Sequence, residues 1–258
     1  MRKFRPLLQI LTAIILLLIS CDLSQSGKKE AEMREDSLRQ GILDIPMREY
    51  ATDSKTYNVA DIDDSICIYQ DDIDKDDCFF VISKREYRLY VYNVTEGDTT
   101  LAAHFPVCYA MYPEAKQVSG DMRTPECDFN HPFVITEIVN ASNWHHDFGD
   151  GRGNIPSYGA WFMRLKTGFN GVGIHGSTNN EPSVPGRDSE GCIRLRDDDL
   201  LLLHDLYAQV GTLVIIKSIT ADKDAFEIKA QEALGDSYRA PKEGNPLFKD
   251  YTSSLDEE

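Results

Sequence analysis

Residues 78–92 read CFFVISKREYRLYVY, and this stretch decides the fold class of the chain. Its first part, Cys78–Ser83, is an apolar run with the length of a β-strand. From Leu89 to Tyr92, aliphatic and aromatic residues alternate, and this period of two is typical of a half-buried strand. The stretch therefore predicts two successive strands, the second with one face on a core and one toward solvent.

Similar signals follow along the chain. A helix is predicted from Asp197 to Val210, with Asp197 or Asp198 as its N-cap and Gly211 as its stop signal. The other segments are rich in β-branched or aromatic residues, and a proline interrupts the first of them. The predicted strands are Leu101–Ala110, Pro132–Val139, Ala160–Leu165, Gly171–His175 and Leu213–Lys217. This order predicts a mostly β fold, a sandwich or barrel with one docked helix.

Residues 173–195, GIHGSTNNEPSVPGRDSEGCIRL, carry the chemistry of the chain. They contain an imidazole, His175, and a thiol, Cys192. A cysteine with a neighbouring base is the minimum requirement for acyl transfer through a thioester. The glycines beside both residues permit tight turns and close approach of a substrate. The alternative interpretation of the pattern is a strand end, a loop and one buried cysteine.

Ile174-His175-Gly176, followed by Ser189-Glu190-Gly191-Cys192-Ile193-Arg194, resembles the signature of the YkuD family of L,D-transpeptidases. The resemblance covers about residues 77–217. It implies a YkuD-like β-sandwich or barrel domain that acts on the peptide stems of peptidoglycan. It further implies a cysteine thioester acyl-enzyme, which an amine of a second stem resolves into a 3–3 crosslink. No cofactor is implied.

The resemblance also implies roles for individual residues. Cys192 would be the nucleophile and His175 its base, with the imidazole oriented by the carbonyl of Gly176, which has no side chain to offer. The amides of Gly191 and Cys192 are the expected donors of an oxyanion hole.

Further residues are expected around this pair. Arg194 is predicted to bind a substrate carboxylate or to brace its own loop, and Ser189 to hydrogen-bond that loop. Residues 143–156, NWHHDFGDGRGNIP, are predicted to form a lid-like loop over the acyl-binding groove. Tyr158 and Trp161 are candidate lining residues of the groove, although core packing is the alternative for Trp161.

Two positions depart from the family pattern. Many members have histidine where this chain has Glu190, and a carboxylate there would oppose thiolate formation if it pointed inward. Cys127 stands where the family has glycine, which suggests a disulfide half or a second thiol near the site. His145 and His146 invite a metal interpretation, but the chain lacks a second ligand cluster with metal spacing, so no metal is predicted.

Alternatives to transpeptidation stay open. Water as acceptor would make the protein an L,D-carboxypeptidase, and a protein lysine would make it a protein-to-wall ligase. A weakly active, wall-binding lipoprotein is a third possibility, in which Glu190 has impaired the site. The formal charge of −16 argues against nucleic acid as a partner.

The ends of the chain predict its compartment. Residues 1–20 combine a basic start with a short apolar core, which is typical of a signal peptide. The sequence before Cys21 resembles a bacterial lipobox, which implies lipidation of Cys21 and anchoring to a membrane on the periplasm-facing side of the cell envelope. Residues 21–76 are predicted to be an acidic tether or N-terminal extension, 77–218 the catalytic domain and 219–258 a polar, acidic C-terminal extension with one helix at Ala221–Leu234.

Four cysteines are left without a role. In an exported protein, the local pairs Cys67–Cys78 and Cys108–Cys127 are the first disulfides to consider, and reduced, buried thiols are the alternative. The aspartates around residues 61–77 lack the spacing of a calcium loop, so a solvated spacer or an added edge element is predicted there.

Overall fold

A computed structural model describes residues 62–241, and the structural statements below concern that part of the chain. The predicted signal peptide, Cys21, most of the N-terminal extension and the end of the acidic tail lie outside it. The strands are β1 (Cys67–Ile68), β2 (Cys78–Ser83), β3 (Arg88–Thr95), β4 (Asp98–Pro106), β5 (Cys108–Ala110), β6 (Phe133–Asn140), β7 (His145–Asp147), β8 (Asn154–Pro156), β9 (Trp161–Leu165), β10 (Gly173–His175), β11 (Gly186–Ser189), β12 (Ile193–Arg194) and β13 (Leu213–Lys217). The α-helices are α1 (Asp197–Leu206) and α2 (Ala225–Ala233), and the 3-10 helices are Lys75–Asp77, Glu181–Ser183 and Gly235–Ser237.

Eleven strands form one sheet in the order β1-β4-β3-β2-β13-β6-β9-β10-β12-β5-β11, and β7 and β8 form a separate hairpin. Most neighbours are antiparallel, but three pairs are parallel: β13 with β2, β12 with β10, and β11 with β5. The mostly β prediction is confirmed, and each predicted strand is present within a few residues of its expected bounds. Pro106 interrupts its segment as expected, since β4 ends there and β5 begins at Cys108.

The main core lies on one face of the sheet, where α1 places Leu200 and Leu203 against aliphatic side chains of the central strands. The opposite face is also covered, since Ala230 and Phe226 of α2 pack on Tyr90 and Tyr92. The prediction of a half-buried β3 is therefore wrong: residues 89–92 are all 0% exposed. The aromatic residues that alternate with the aliphatic ones belong to a second apolar cluster.

The segments before and after the sheet are tied to it. In place of a solvated spacer, residues 67–68 add the edge strand β1, as the alternative interpretation predicted. The fully buried guanidinium of Arg88 pairs with Asp63 and donates to the carbonyls of Asp63 and Ser65. Tyr69 and the backbone of Arg239 both reach the buried ring of His104. Both flanking segments thus contribute to the packing of the domain.

The predicted start of α1 needs a correction. Arg196 is the N-cap and makes no side-chain capping bond, while Asp197 is the first helical residue and its carboxylate turns away toward another loop. The helix also ends earlier than predicted, at Leu206, and Lys75 donates to the carbonyls of His204 and Ala208 near that end.

Of the two interpretations of the four cysteines, that of reduced thiols is correct: all four are unpaired, and Cys67, Cys78 and Cys108 are buried. Sheet order explains why. Strands β4 and β3 separate β1, which carries Cys67, from β2, which carries Cys78, so the two positions are three strand spacings, or about 14 Å, apart. A disulfide requires Cα atoms within about 7 Å. The sulfur of Cys127 makes hydrogen bonds with the carbonyl of Val214 and the amide of Ile216 on β13. Cys108 lies on β5, which is distant from β13 in the order of the sheet.

Candidate active site

The register of two parallel strands brings the predicted pair together. In the β10–β12 pair, Ile174 faces Ile193 and His175 faces Arg194. Both isoleucines are fully buried in the main core. Because side chains alternate along a strand, His175, Arg194 and Cys192 project from the opposite face of the sheet. This face forms the floor of a pocket of about 340 Å³ that all three residues line.

Among the hydrogen bonds of residues 62–241, the ring of His175 makes one, and it is short. His175 is 4% exposed, and its Nδ1 lies 2.7 Å from the carbonyl oxygen of Gly176, as the sequence predicted. Since a carbonyl only accepts, Nδ1 carries the proton in this contact, and a neutral ring keeps Nε2 as its acceptor. Burial lowers the pKa of His175 to about 3, and the nearby Arg194 cation acts in the same direction. The imidazole is therefore neutral at physiological pH.

Cys192 is a protonated thiol in this structure. Its Sγ donates to the carbonyl of Gly171 at 3.2 Å. Burial raises the pKa of Cys192, although the amide of Gly173 and the cations of Arg194 and Lys116 favour the thiolate. The resting pair is thus a neutral thiol and a neutral imidazole, and proton transfer between them must accompany attack on a substrate.

The loop before Cys192 is held by Ser189. Its hydroxyl donates to the carbonyl of Cys192 at 2.5 Å and accepts from the amide of Gly191 at 3.2 Å. This matches the predicted bracing role of Ser189. The same hydroxyl engages the amide of Gly191, one of the two predicted oxyanion donors, whereas the amide of Cys192 has no such contact with Ser189.

Arg194 is 3% exposed and incompletely paired. Its Nη1 reaches Ser183 and Asp188 only at 3.5 Å, and its Nε has no partner among the residues described. Its guanidinium lies over the ring of Phe148, 5.2 Å from the centroid. Guanidinium donors therefore remain for an anionic group in the pocket. Arg187 on β11 is also buried, at 7% exposure.

Residues 143–156, which were predicted to form a lid-like loop, contain the hairpin of β7 and β8 and lie beside the pocket. His145 and His146 point to opposite sides, and only His146 lines the pocket, together with Trp144 and Phe148. No group of three His, Cys, Asp or Glu side chains within residues 62–241 is placed to hold a metal ion. The sequence interpretation overlooked Trp144 and Phe148, although aromatic residues in a predicted lid were an available signal.

Glu190 pairs with the lid. Its carboxylate lies 3.2 Å from Nε2 of His146, and both side chains are partly exposed at the pocket. It also disfavours the Cys192 thiolate, as its charge predicts, but burial is the larger cause of the raised pKa.

The two aromatic candidates for the groove lining, Tyr158 and Trp161, differ in position. Tyr158 lines the pocket, with its ring centroid 4.8 Å from that of His175. Trp161 does not line it: its ring stacks on His204 of α1 at 4.3 Å, and the side chain packs against the main core. The packing alternative is therefore correct for Trp161. Cys127 also lies outside the lining of the pocket, so it is not a second thiol of the site.

The structure is a mainly β domain with a cysteine and an oriented histidine in one pocket, as the resemblance to the YkuD family implied. Residues 79–216 match the family model described as the YkuD L,D-transpeptidase catalytic domain. The chain therefore belongs to the YkuD family.

Solved structures with a similar fold include an L,D-transpeptidase from Mycobacterium smegmatis, Bd1075 from Bdellovibrio bacteriovorus and the helical cell shape determining protein Pgp2 from Campylobacter jejuni. Their sequence identity to this chain is 17% in each case, and their TM-scores are 0.40, 0.41 and 0.42. The alignments cover 55%, 66% and 60% of this chain and 59%, 60% and 53% of those chains. This chain thus spans about 60% of the length of the first structures it matches. A search of curated proteins found no significant match.

Proposed function

We propose that this protein is a peptidoglycan L,D-transpeptidase that forms 3–3 crosslinks through a thioester on Cys192. The observation that carries the proposal is the shared sheet face of His175, Cys192 and Arg194, in a pocket of a YkuD-family domain. It supplies a nucleophile, a base with a defined acceptor nitrogen and a cation for an anionic substrate group.

The acylation step follows from the protonation states. As the sulfur of Cys192 attacks the carbonyl carbon of the third stem residue, its proton passes to Nε2 of His175. The amide of Cys192 is the donor proposed for the oxyanion that forms. Collapse of this intermediate breaks the C–N bond, and the imidazolium returns the proton to the departing amine of D-alanine. Since His175 is neutral at rest, it is ready to accept the proton at physiological pH.

Transfer to the acceptor reverses these roles. An amine of a second stem attacks the thioester and gives its proton to His175, and the C–S bond breaks. The sulfur leaves as thiolate and recovers a proton from the imidazolium. The guanidinium of Arg194, with its long contacts at 3.5 Å, is the proposed partner of a stem carboxylate. The aromatic rings of Trp144, Phe148 and Tyr158 limit access of water.

The test is mass analysis of the products formed from tetrapeptide muropeptides. The wild-type protein is expected to release D-alanine and form 3–3 dimers, and Cys192→Ala to do neither. Cys127→Ala is the matched control, because that thiol lies outside the pocket and its loss should leave the products unchanged. D-alanine without dimers would identify a carboxypeptidase, and dimers formed by Cys192→Ala would refute the thioester.

We also propose that the protein is anchored by lipid at Cys21, in the cell envelope and facing the periplasm. The proposal rests on the sequence of residues 1–21, which resembles a signal peptide with a lipobox. Within residues 62–241, no helix is long and apolar enough to cross a bilayer. Metabolic labelling with an alkyne fatty acid should mark the wild-type protein but not Cys21→Ala, and equal labelling of both would refute lipidation at Cys21.

A further inference from the structure

Asp197 turns its carboxylate toward the loop that carries His175. It opens α1, but its side chain does not cap that helix. One oxygen accepts from the amide of Ser177 at 2.8 Å, and the other accepts from the hydroxyl of Thr178 at 2.5 Å. Hydrogen bonds to an ionised carboxylate are among the stronger ones in proteins. The carboxylate therefore fastens the two residues that follow Gly176.

The same contacts tie in a second segment. The hydroxyl of Thr178, which donates to Asp197, accepts from the amide of Gly159 at 3.1 Å. The amide of Gly176 donates to the carbonyl of Tyr158 at 2.7 Å. The segment with the pocket-lining Tyr158 and the segment with His175 are thus joined side by side, and the carboxylate of Asp197 lies against both.

The packing here allows little movement. A Cβ atom at Gly176 would lie 2.2 Å from Oδ1 of Asp197, and a Cβ atom at Gly159 would lie 2.8 Å from the same oxygen. Such distances are too short for any side chain, so both glycines are needed for the close approach. Both Gly159 and the carboxylate of Asp197 are therefore packed directly against Gly176.

We infer that Asp197 is a positioning residue, which acts through the peptide of Gly176 to hold His175 in the orientation and tautomer that leave Nε2 as the acceptor. The link is direct, because the carbonyl of Gly176 accepts from Nδ1 of His175 and the next amide, that of Ser177, donates to Asp197. Where a third group orients a catalytic histidine, its loss leaves the fold intact but populates the wrong tautomer. The effect on turnover rests on the proposed function, but the effect on the tautomer does not.

Asp198 supplies a matched control. It lies in the same first turn of α1, so it interacts with the helix N-terminus in the same way, but its carboxylate has no contact with the His175 loop among the hydrogen bonds of residues 62–241. Asp198→Asn therefore reports what loss of one carboxylate does to the helix alone. Thr178→Val is a milder variant than Asp197→Ala, since it removes one bond to the carboxylate and keeps the charge.

The test is nitrogen NMR of the full chain in detergent with labelled histidine, in which a protonated and a bare ring nitrogen have well-separated shifts. His175→Gln assigns the signals. We expect a single tautomer with protonated Nδ1 for His175 in the wild type and in Asp198→Asn, and a mixture in Asp197→Asn, Asp197→Ala and Thr178→Val. An unchanged tautomer in the folded Asp197 variants would overturn the inference, and so would protonated Nε2 in the wild type.

Kinetics of D-alanine release give a second measurement. Asp197→Asn should lower kcat about 10- to 100-fold, as misplacement of a catalytic group does, with KM nearly unchanged. In the His175→Gln background the same substitution should have no further effect, because a positioning residue acts only through its partner. If the wild type released no D-alanine, the proposed function would fail, while the tautomer measurement would still decide the role of Asp197.

Discussion

Replacement of Gly176 by alanine should destabilise the domain and disable the site together. The φ angle of Gly176 lies outside the left-handed region, so the backbone itself tolerates alanine. The added methyl group would lie 2.2 Å from Oδ1 of Asp197 and 2.7 Å from Cα of Gly159. Ordinary van der Waals contact begins near 3.4 Å, so the methyl group would intrude by 1.2 Å on the oxygen.

The cost has two parts. Overpacking at a site that cannot relax costs about 1–3 kcal/mol. Withdrawal of the carboxylate would also break its bond with the amide of Ser177, and a hydrogen bond to a charged group contributes about 1.5–3 kcal/mol. We expect Gly176→Ala to lower the free energy of unfolding by about 3–5 kcal/mol. For a domain of this size the loss corresponds to a fall in Tm of roughly 10 °C.

Chemical denaturation and thermal melts followed by circular dichroism measure this loss. Gly211→Ala is the control, because Gly211 has a φ of +103° but no atom lies within 4 Å of the place where its added methyl group would sit. It should show only the backbone penalty of a positive φ, which is about 1–2 kcal/mol for a residue with a side chain. A Gly176→Ala protein with wild-type stability and full transfer activity would refute the argument that close packing against Gly159 and Asp197 orients His175.

Three further predictions concern the thiol, the lid and the second helix. The rate of alkylation of Cys192 by iodoacetamide should rise about tenfold per pH unit from about pH 6 to about pH 8. The reason is that the raised pKa leaves the thiolate a minor form, and the neutral His175 cannot form a standing ion pair with it. A plateau of the rate below about pH 7 would contradict this prediction. Glu190→Gln should lower the apparent pKa of Cys192 and loosen the contact with His146. Stopped-flow alkylation across pH measures this pKa, and an unchanged midpoint of the pH profile would show that the carboxylate does not act on the thiol. Phe226→Ala should lower the free energy of unfolding by about 2–3 kcal/mol, because this partly buried ring packs on the rings of Phe79, Tyr92 and Phe129. Urea denaturation measures the loss, and a change below about 0.5 kcal/mol would argue against that packing.

Local patterns in the sequence predicted the strands well. The apolar run at Cys78–Ser83 and the β-branched run at Leu213–Lys217 both form strands with these bounds. The same patterns could not reveal that these two strands are parallel neighbours, because this contact joins residues more than 130 positions apart. They also could not show that Tyr90 and Tyr92 are covered, since the covering helix lies far along the chain and is only weakly amphipathic.

The site was predicted in part. The signature identified His175, Cys192 and the carbonyl of Gly176, because each belongs to one short segment with recognisable residue types. Asp197 was misread as a helix cap, which is the commonest use of aspartate at that place. Its actual contacts, with Ser177 and Thr178, depend on how α1 meets the loop after β10. Sequence spacing carries no information on such an approach.

The protonated state of Cys192 affects how readily the thiol is oxidised. Oxidation of cysteine to sulfenic and higher acids proceeds through the thiolate, so a low-pKa nucleophile is the first to be damaged in an oxidising compartment. A thiol that rests neutral and donates to the carbonyl of Gly171 is poorly reactive toward peroxide until a substrate enters. In the envelope location proposed for this protein, the thiol would stay chemically intact between turnovers and become a nucleophile only when needed.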